Sequence, residues 1–248
     1  MKLIGKTALV TGGTNGIGLE TAKLFIKEGA SVIVTGVTEE RIAEAQRELG
    51  PDTLVLKADL RKAGDLDAVF DVVQARFATL DIVFANAGVG TVAPLAAITE
   101  EQIDNQFNIN FKGIFFTVQK AAPLMTRGGS IVLTTSFLNE VGVPGFSILS
   151  ASKAAVRSLV RSIGAELAPR GIRVNAVSPG PVSTSFHSKL GLTQAQLNEA
   201  AAGIEAQIPL ARFGEAAEIA NTVLFLAGDD ASFMTGSEIV VDGGLSQF

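Results

Sequence analysis

Three side chains able to handle charge or protons are spaced through the middle of the chain: Asn110, Ser136 and Lys153. Lys153 closes the stretch Pro-Gly-Phe-Ser-Ile-Leu-Ser-Ala-Ser-Lys at 144–153, and Ala154, Ala155 and Val156 carry it on as an amphipathic helix. An ammonium among alanines is a poor choice for packing, because burying an unpaired charge is costly. A phenol one turn before Lys153, on the same helix face, would complete a set able to give and take a proton. Leu149 stands there instead, and the chain contains no tyrosine in any register. Asn110, in Asn108-Ile109-Asn110-Phe111, is unfavourable inside a helix and reads as a kink or a water site. Taken alone, Ser136 also reads as a turn residue.

The shortage of proton donors is general. Tyrosine, tryptophan and cysteine are all zero and histidine is one (His187), against 15 phenylalanines. Natural drift and deliberate engineering would both produce such a composition. Without cysteine there is no disulfide, thiolate metal site or thiol nucleophile, and no metal site is expected. Hydrophobic residues make up 47% and charged residues 18%, the balance of a well-buried globular enzyme. The net charge of −5 and the lack of a basic run argue against nucleic acid as a partner. No apolar run reaches membrane-spanning length, so neither an anchor nor a signal peptide is expected, and a cytoplasmic location follows.

The elements that must hold these residues alternate. Short apolar runs at 7–11, 31–35, 53–57, 81–85, 130–135, 172–177 and 237–241 predict strands. Helical spacing predicts helices at 20–27, 39–49, 66–77, 101–124, 150–167 and 215–226. Strands apolar along their whole length imply a sheet covered on both faces. The expected fold is α/β: a single-domain Rossmann fold over 1–248, with a seven-stranded, mostly parallel sheet flanked by helices on both faces. One long connection, 179–214, contains a helical piece at 193–202. Its 182–212 portion reads as a lid over a substrate site, and Phe186, Leu190, Leu192 and Leu197 give it an apolar lining.

Between the first strand and helix lies Thr11-Gly12-Gly13-Thr14-Asn15-Gly16-Ile17-Gly18. Gly12, Gly16 and Gly18 allow a sharp turn and a close approach by a pyrophosphate to the start of a helix, with Thr14, Asn15 and Ile17 between them. Asn86-Ala87-Gly88, Asn110, Ser136, Lys153, Pro179-Gly180 and Asp242-Gly243-Gly244 follow in order. Over residues 3–245 the chain resembles the short-chain dehydrogenases/reductases.

The resemblance implies roles. Asn86, Ala87 and Gly88 would border the adenosine, and Asp59 and Leu60 would meet the adenine, although Asp59 alone also reads as a turn cap. Thr134, Pro179, Gly180 and Val182 would line the cofactor site, and Thr184 would contact the nicotinamide carboxamide. Asp242 and its glycines would support the core. Ser136 would stabilise a carbonyl oxygen, Lys153 would bind the nicotinamide ribose, and Asn110 would hold a water. Leu149 occupies the place of the family's tyrosine. The family's common homotetramer pairs the helices at 101–124 and 150–167.

At the end of the second strand, Gly36, Val37 and Thr38 offer no acid to a ribose 2′-hydroxyl. NADP(H) is therefore the expected cofactor, with Asn15, Thr38 and Arg41 available to a phosphate and NAD(H) as the alternative. The expected activity is hydride transfer between a nicotinamide and a ketone or secondary alcohol, at reduced rate. The proton would come from water held by Lys153 and Asn110, with Ser147, Ser150 and His187 as weaker candidates. The alternative is a dinucleotide-binding protein without turnover.

Overall fold

The computed structural model describes residues 1–183 and 201–248. Seven strands form one sheet: β1 (Thr7–Thr11), β2 (Ser31–Gly36), β3 (Leu54–Lys57), β4 (Ile82–Ala85), β5 (Gly129–Thr134), β6 (Ile172–Pro179) and β7 (Glu238–Val241). Their order is β3-β2-β1-β4-β5-β6-β7. Every pairing is parallel, so the expectation of a mostly parallel sheet becomes an all-parallel one. Crossover helices between successive strands cover both faces, which leaves no face for an antiparallel hairpin.

The central strands split their side chains between two cores with a period of two. From β1, Leu9 enters one core while Ala8 and Val10 enter the other; from β4, Val83 and Ala85 oppose Ile82 and Phe84. The first core is closed by α3 (Ala63–Phe77), α5 (Ile114–Ala121) and α6 (Ser147–Leu167), through Leu66, Phe70, Ile114, Val118, Val156 and Val160. The second is closed by α1 (Gly16–Lys27), α2 (Glu39–Leu49) and α7 (Ala216–Ala227), through Phe25, Ala45, Ile219 and Val223. Burying each large side chain contributes about 1.5–3 kcal/mol. These cores hold the sheet against its helices and leave the carboxyl ends of the strands open. Among the described residues no helix is long and apolar enough to cross a membrane.

The single helix expected over 101–124 runs without a gap but is not regular. Capped by Thr99, α4 (Glu100–Phe107) passes into a π-helical stretch at Asn108–Gly113, then into α5 and a 3₁₀ turn at Ala122–Leu124. Two asparagines disfavour regular helix there, and the Asn110 side chain is pulled sideways into bonds with Val89 on the loop after β4. Three other helices begin earlier than the apolar spacing suggests, at Gly16, Ala63 and Ser147. Residues 201–205 are helical; the rest of the helical piece expected at 193–202, and with it most of the expected lid, lies outside the described residues.

Candidate active site

Strand order reverses between β1 and β4, and a cleft of about 620 Å³ opens at that point, beyond the carboxyl ends of the strands. Its floor is the β1–α1 turn. Gly12 and Gly16 have φ of 63° and 51°, in the left-handed region where only glycine is unstrained. A Cβ on Gly12 would lie 2.8 Å from the Ala87 Cα, and one on Gly36 would lie 2.4 Å from the Thr14 Cγ2. The turn is pinned from outside. Gly13 N–H donates to Thr35 O at 3.0 Å, and the Asn86 amide donates to Thr11 O and Gly12 O, each at 3.2 Å. Asn15 leads into α1 without capping it by its side chain, which leaves N–H groups at the start of the helix uncapped beside the cleft that Gly16 and Ile17 line.

Gly18 lies beneath this floor and does not line it. Its missing Cβ would fall 2.3 Å from Gly12 O and 2.8 Å from Asn86 Nδ2. Gly18→Ala is therefore expected to distort the turn, weakening dinucleotide binding by about tenfold or more and lowering stability by about 1–3 kcal/mol. Fluorescence titration with a reduced nicotinamide, alongside urea unfolding, checks both; wild-type affinity would show that the turn tolerates a methyl.

The far wall carries Ser136, Leu149 and Lys153. Ser136 follows β5 and caps the short turn Phe137–Asn139, its Oγ accepting from Leu138 N–H at 3.3 Å. That bond uses a lone pair and not the hydroxyl proton. Leu149 and Lys153 lie one turn apart on α6, 9% and 6% exposed. Lys153 Nζ donates to Thr134 O at 2.8 Å. Burial, with no carboxylate beside it to compensate, pushes its pKa from 10.5 down to about 8. Thr134 is joined to the floor, its hydroxyl donating to Asn86 Oδ1 at 3.3 Å.

Asn110 stands behind this wall, fully buried. Its Oδ1 accepts from Val89 N–H at 2.8 Å, and its Nδ2 donates to Val89 O at 2.9 Å and to Ser152 Oγ at 3.1 Å. Both amide protons are thereby used, so the side chain is a brace between the β4 loop and α6. Gly88 completes the brace: a Cβ there would press to 3.2 Å from Asn110 Oδ1 and 3.4 Å from Lys153 Nζ.

Of the other expected cofactor residues, Thr14, Asn15, Ile17, Val37, Thr38, Asp59, Leu60, Asn86, Ala87, Pro179 and Gly180 line the cleft. Val182 does not line it and instead bridges to Gly214. Thr184 and His187 lie outside the described residues. Asp242 is a structural cap, accepting from Gly244 N–H, Ser246 N–H and the Ser246 hydroxyl.

Two pairings have no clear counterpart in the sequence pattern. Arg61 lines the cleft and grips the Asp59 carboxylate, with Nε at 2.9 Å and Nη2 at 2.6 Å. Its hydrogen bonds hold Asp59 below the usual carboxylate range. The i,i+2 spacing is the only local signal. Thr11, at the end of β1 and the first residue of the glycine-rich motif, accepts from the N–H groups of Asn86 and Ala87, a partnership that nothing local marks.

A glycine-floored crevice at a reversal of strand order is the ligand site of a dinucleotide-binding α/β protein. The bare backbone at Gly12 and Gly36 and the open start of α1 fit such a ligand. Comparison with known proteins narrows the class. A family model described as enoyl-(acyl carrier protein) reductase matches residues 12–246. Oxidoreductase asL5 of Sarocladium schorii is 44% identical over 248 residues, covering 99% of this chain and 98% of its own length. The 3-oxoacyl-(acyl-carrier-protein) reductase FabG of Staphylococcus aureus is 39% identical, with 97% and 98% covered. A short-chain dehydrogenase/reductase from Mycobacterium marinum superposes with a TM-score of 0.92 at 32% identity, covering 100% of this chain and 98% of its own. Levodione reductase gives 0.93 at 31%, with 98% of each covered. The chain belongs to the short-chain dehydrogenase/reductase family and is an oxidoreductase of that family. Its members bind nicotinamide dinucleotides.

Proposed function

We propose that this protein is an NADP(H)-dependent carbonyl reductase, or alcohol dehydrogenase in reverse, whose proton relay lacks the family's tyrosine because Leu149 takes its place. The observation that carries the reading is the sharing of one cleft by the glycine floor, Ser136, Leu149 and Lys153. In this reading, Lys153 binds the nicotinamide ribose and Ser136 donates its hydroxyl proton to the substrate oxygen, polarising it. The bound nicotinamide supplies the hydride. A ketone class is supported by the names of two similar proteins, reductases of a 3-oxoacyl group and of levodione.

The proton comes from water beside Lys153. Its ammonium, at a pKa near 8, is close enough to neutrality to exchange a proton with that water. Asn110 supports the relay by holding the turn at Gly88 and α6 together, since its amide protons are already committed. Losing the phenol removes a factor of about 10²–10⁴, whereas orientation and polarisation are retained, so turnover is slow and favours activated ketones.

NADP(H) is favoured because β2 ends without a carboxylate. Gly36 is enclosed by Thr14, and Arg41 lies in the cleft, where its exposed pair with Glu44 is weak enough to yield to a phosphate. Titration is expected to give tighter binding of NADPH than of NADH; the reverse order would overturn the cofactor choice. Oxidation of NADPH against a panel of activated aryl ketones tests the activity. Tight binding with no turnover would favour the dinucleotide-binding protein without catalysis, a reading that Leu149 itself supports. The same proposal includes a cytoplasmic homotetramer built on α4, α5 and α6, supported by the exposed Ile103 and Phe116 on those helices.

A further inference from the structure

The loop carrying Ser136 is tied to the rest of the protein by a carboxylate from the far edge of the sheet. Glu238, the first residue of β7, is only 6% exposed at its side chain and meets three donors. The Asn139 amide donates to its Oε1 at 2.9 Å, Arg157 Nε lies 2.9 Å from its Oε2, and the Thr135 hydroxyl shares its one proton between Oε1 and Val177 O, the latter at 3.0 Å. Thr135 and Asn139 bracket Ser136 on both sides. Arg157 lies one turn beyond Lys153 on α6 and donates a further bond to Gly236 O at 3.2 Å. One buried group thus joins β7, the Ser136 turn and the helix of Lys153.

We propose that Glu238 is a positioning residue, whose buried carboxylate sets the Ser136 turn against α6 so that the serine hydroxyl meets the substrate oxygen. This inference rests on the role proposed for Ser136. Stability alone is a weak reason to keep such a group, because desolvating a buried ion pair offsets most of its Coulombic gain. Geometry is a better reason: three donors converge on its two oxygens, and the residues they belong to flank the reacting groups. Glutamine in this place keeps the shape but turns one acceptor into a donor, which then faces either the Arg157 N–H or the Asn139 N–H. Against Arg157 that donor is unsatisfied, and against Asn139 it is satisfied only if the Asn139 amide turns its unpartnered Oδ1 inward; either way the charged anchor of the turn is lost, and a displacement near 1 Å at a reacting group costs about 10²-fold in rate.

The test is Glu238→Gln, with Glu238→Asp as the variant that keeps the charge. The expected results for Glu238→Gln are a kcat for ketone reduction lower by about 10²-fold, an unchanged NADPH affinity, and partial recovery of kcat in Glu238→Asp. Hydrogen exchange gives a readout independent of turnover: amides at 136–140 are expected to exchange faster in Glu238→Gln while those of β1 and β4 do not change. A wild-type kcat, or unchanged exchange at 136–140, overturns the proposal. If the wild-type protein reduces no ketone, the proposed function fails, and the exchange result still decides whether Glu238 holds the turn. If Glu238→Gln does not fold, Thr135→Val removes one of the three donors and is expected to change kcat and exchange in the same directions, by less.

Discussion

Leu149→Tyr is expected to raise kcat for an activated ketone by about 10²–10⁴-fold, the usual contribution of a positioned general acid. The position is suited to it. Leu149 lines the cleft with Ser136 and lies one helical turn before Lys153, so a phenol there would project along the same face as the ammonium. A neighbouring positive charge lowers a phenol's pKa, bringing it closer to the pH at which a proton donor works best. The ring is larger than the side chain it replaces, but Leu149, though only 9% exposed, borders the cleft and belongs to neither of the two cores. Steady-state rates at saturating NADPH decide the matter. An unchanged kcat would mean that residue 149 does not face the substrate. The gain should appear in kcat far more than in cofactor affinity, because the glycine floor and Thr134 are untouched.

Lys153→Met is expected to move function and stability in opposite directions. Turnover should fall by about 10²–10³-fold, the scale for removing one preorganised donor from a site, and NADPH binding should weaken with it. Stability at pH 7 should rise. The native lysine has a pKa near 8 against an ordinary 10.5. At pH 7 the group is protonated in both states, and the native state bears the full desolvation penalty, about 3 kcal/mol. Methionine removes that penalty but leaves Thr134 O without its donor, at a cost of about 1 kcal/mol, for a net gain of about 2 kcal/mol. The pH dependence gives the sign. Between pH 8 and 10.5 the unfolded chain still holds the proton that the native chain has released, so wild-type stability from this group climbs through that window. The methionine variant should lack this climb. Urea unfolding at pH 7 and pH 10 measures it. A variant less stable than wild type at pH 7 would mean that the ammonium is better compensated than its burial implies.

Such a penalty, carried in a marginally stable fold, is a common mark of function. Lys153 stands out in the sequence because an ammonium among alanines is locally out of place. The glycines are legible by the sharp turn between a strand and a helix, whereas Ser136 alone reads as a turn residue and stands out only through the family resemblance. The sheet is legible too, because an apolar strand buried on both faces declares itself within five residues. The π-helical stretch after α4 is half legible: asparagines at 108 and 110 weaken a regular helix, but only Val89 and Ser152 explain where the second one turns.

Other features have no local sign. Arg61 on Asp59 looks like any surface pair until the cleft is formed around it. The demand for glycine at position 36 comes from Thr14, on another loop. Glu238 reaches Thr135 across 103 residues of sequence, and Asn86 reaches Thr11 across 75. By itself the sequence determined the alternating strands and helices and the glycine turn between β1 and α1. Each of these is set by backbone needs or burial periodicity within a few residues. Only the tertiary structure decided which polar groups satisfy one another, because that depends on the register of parallel strands brought together from distant parts of the chain, where a shift of one residue turns every side chain to the opposite face.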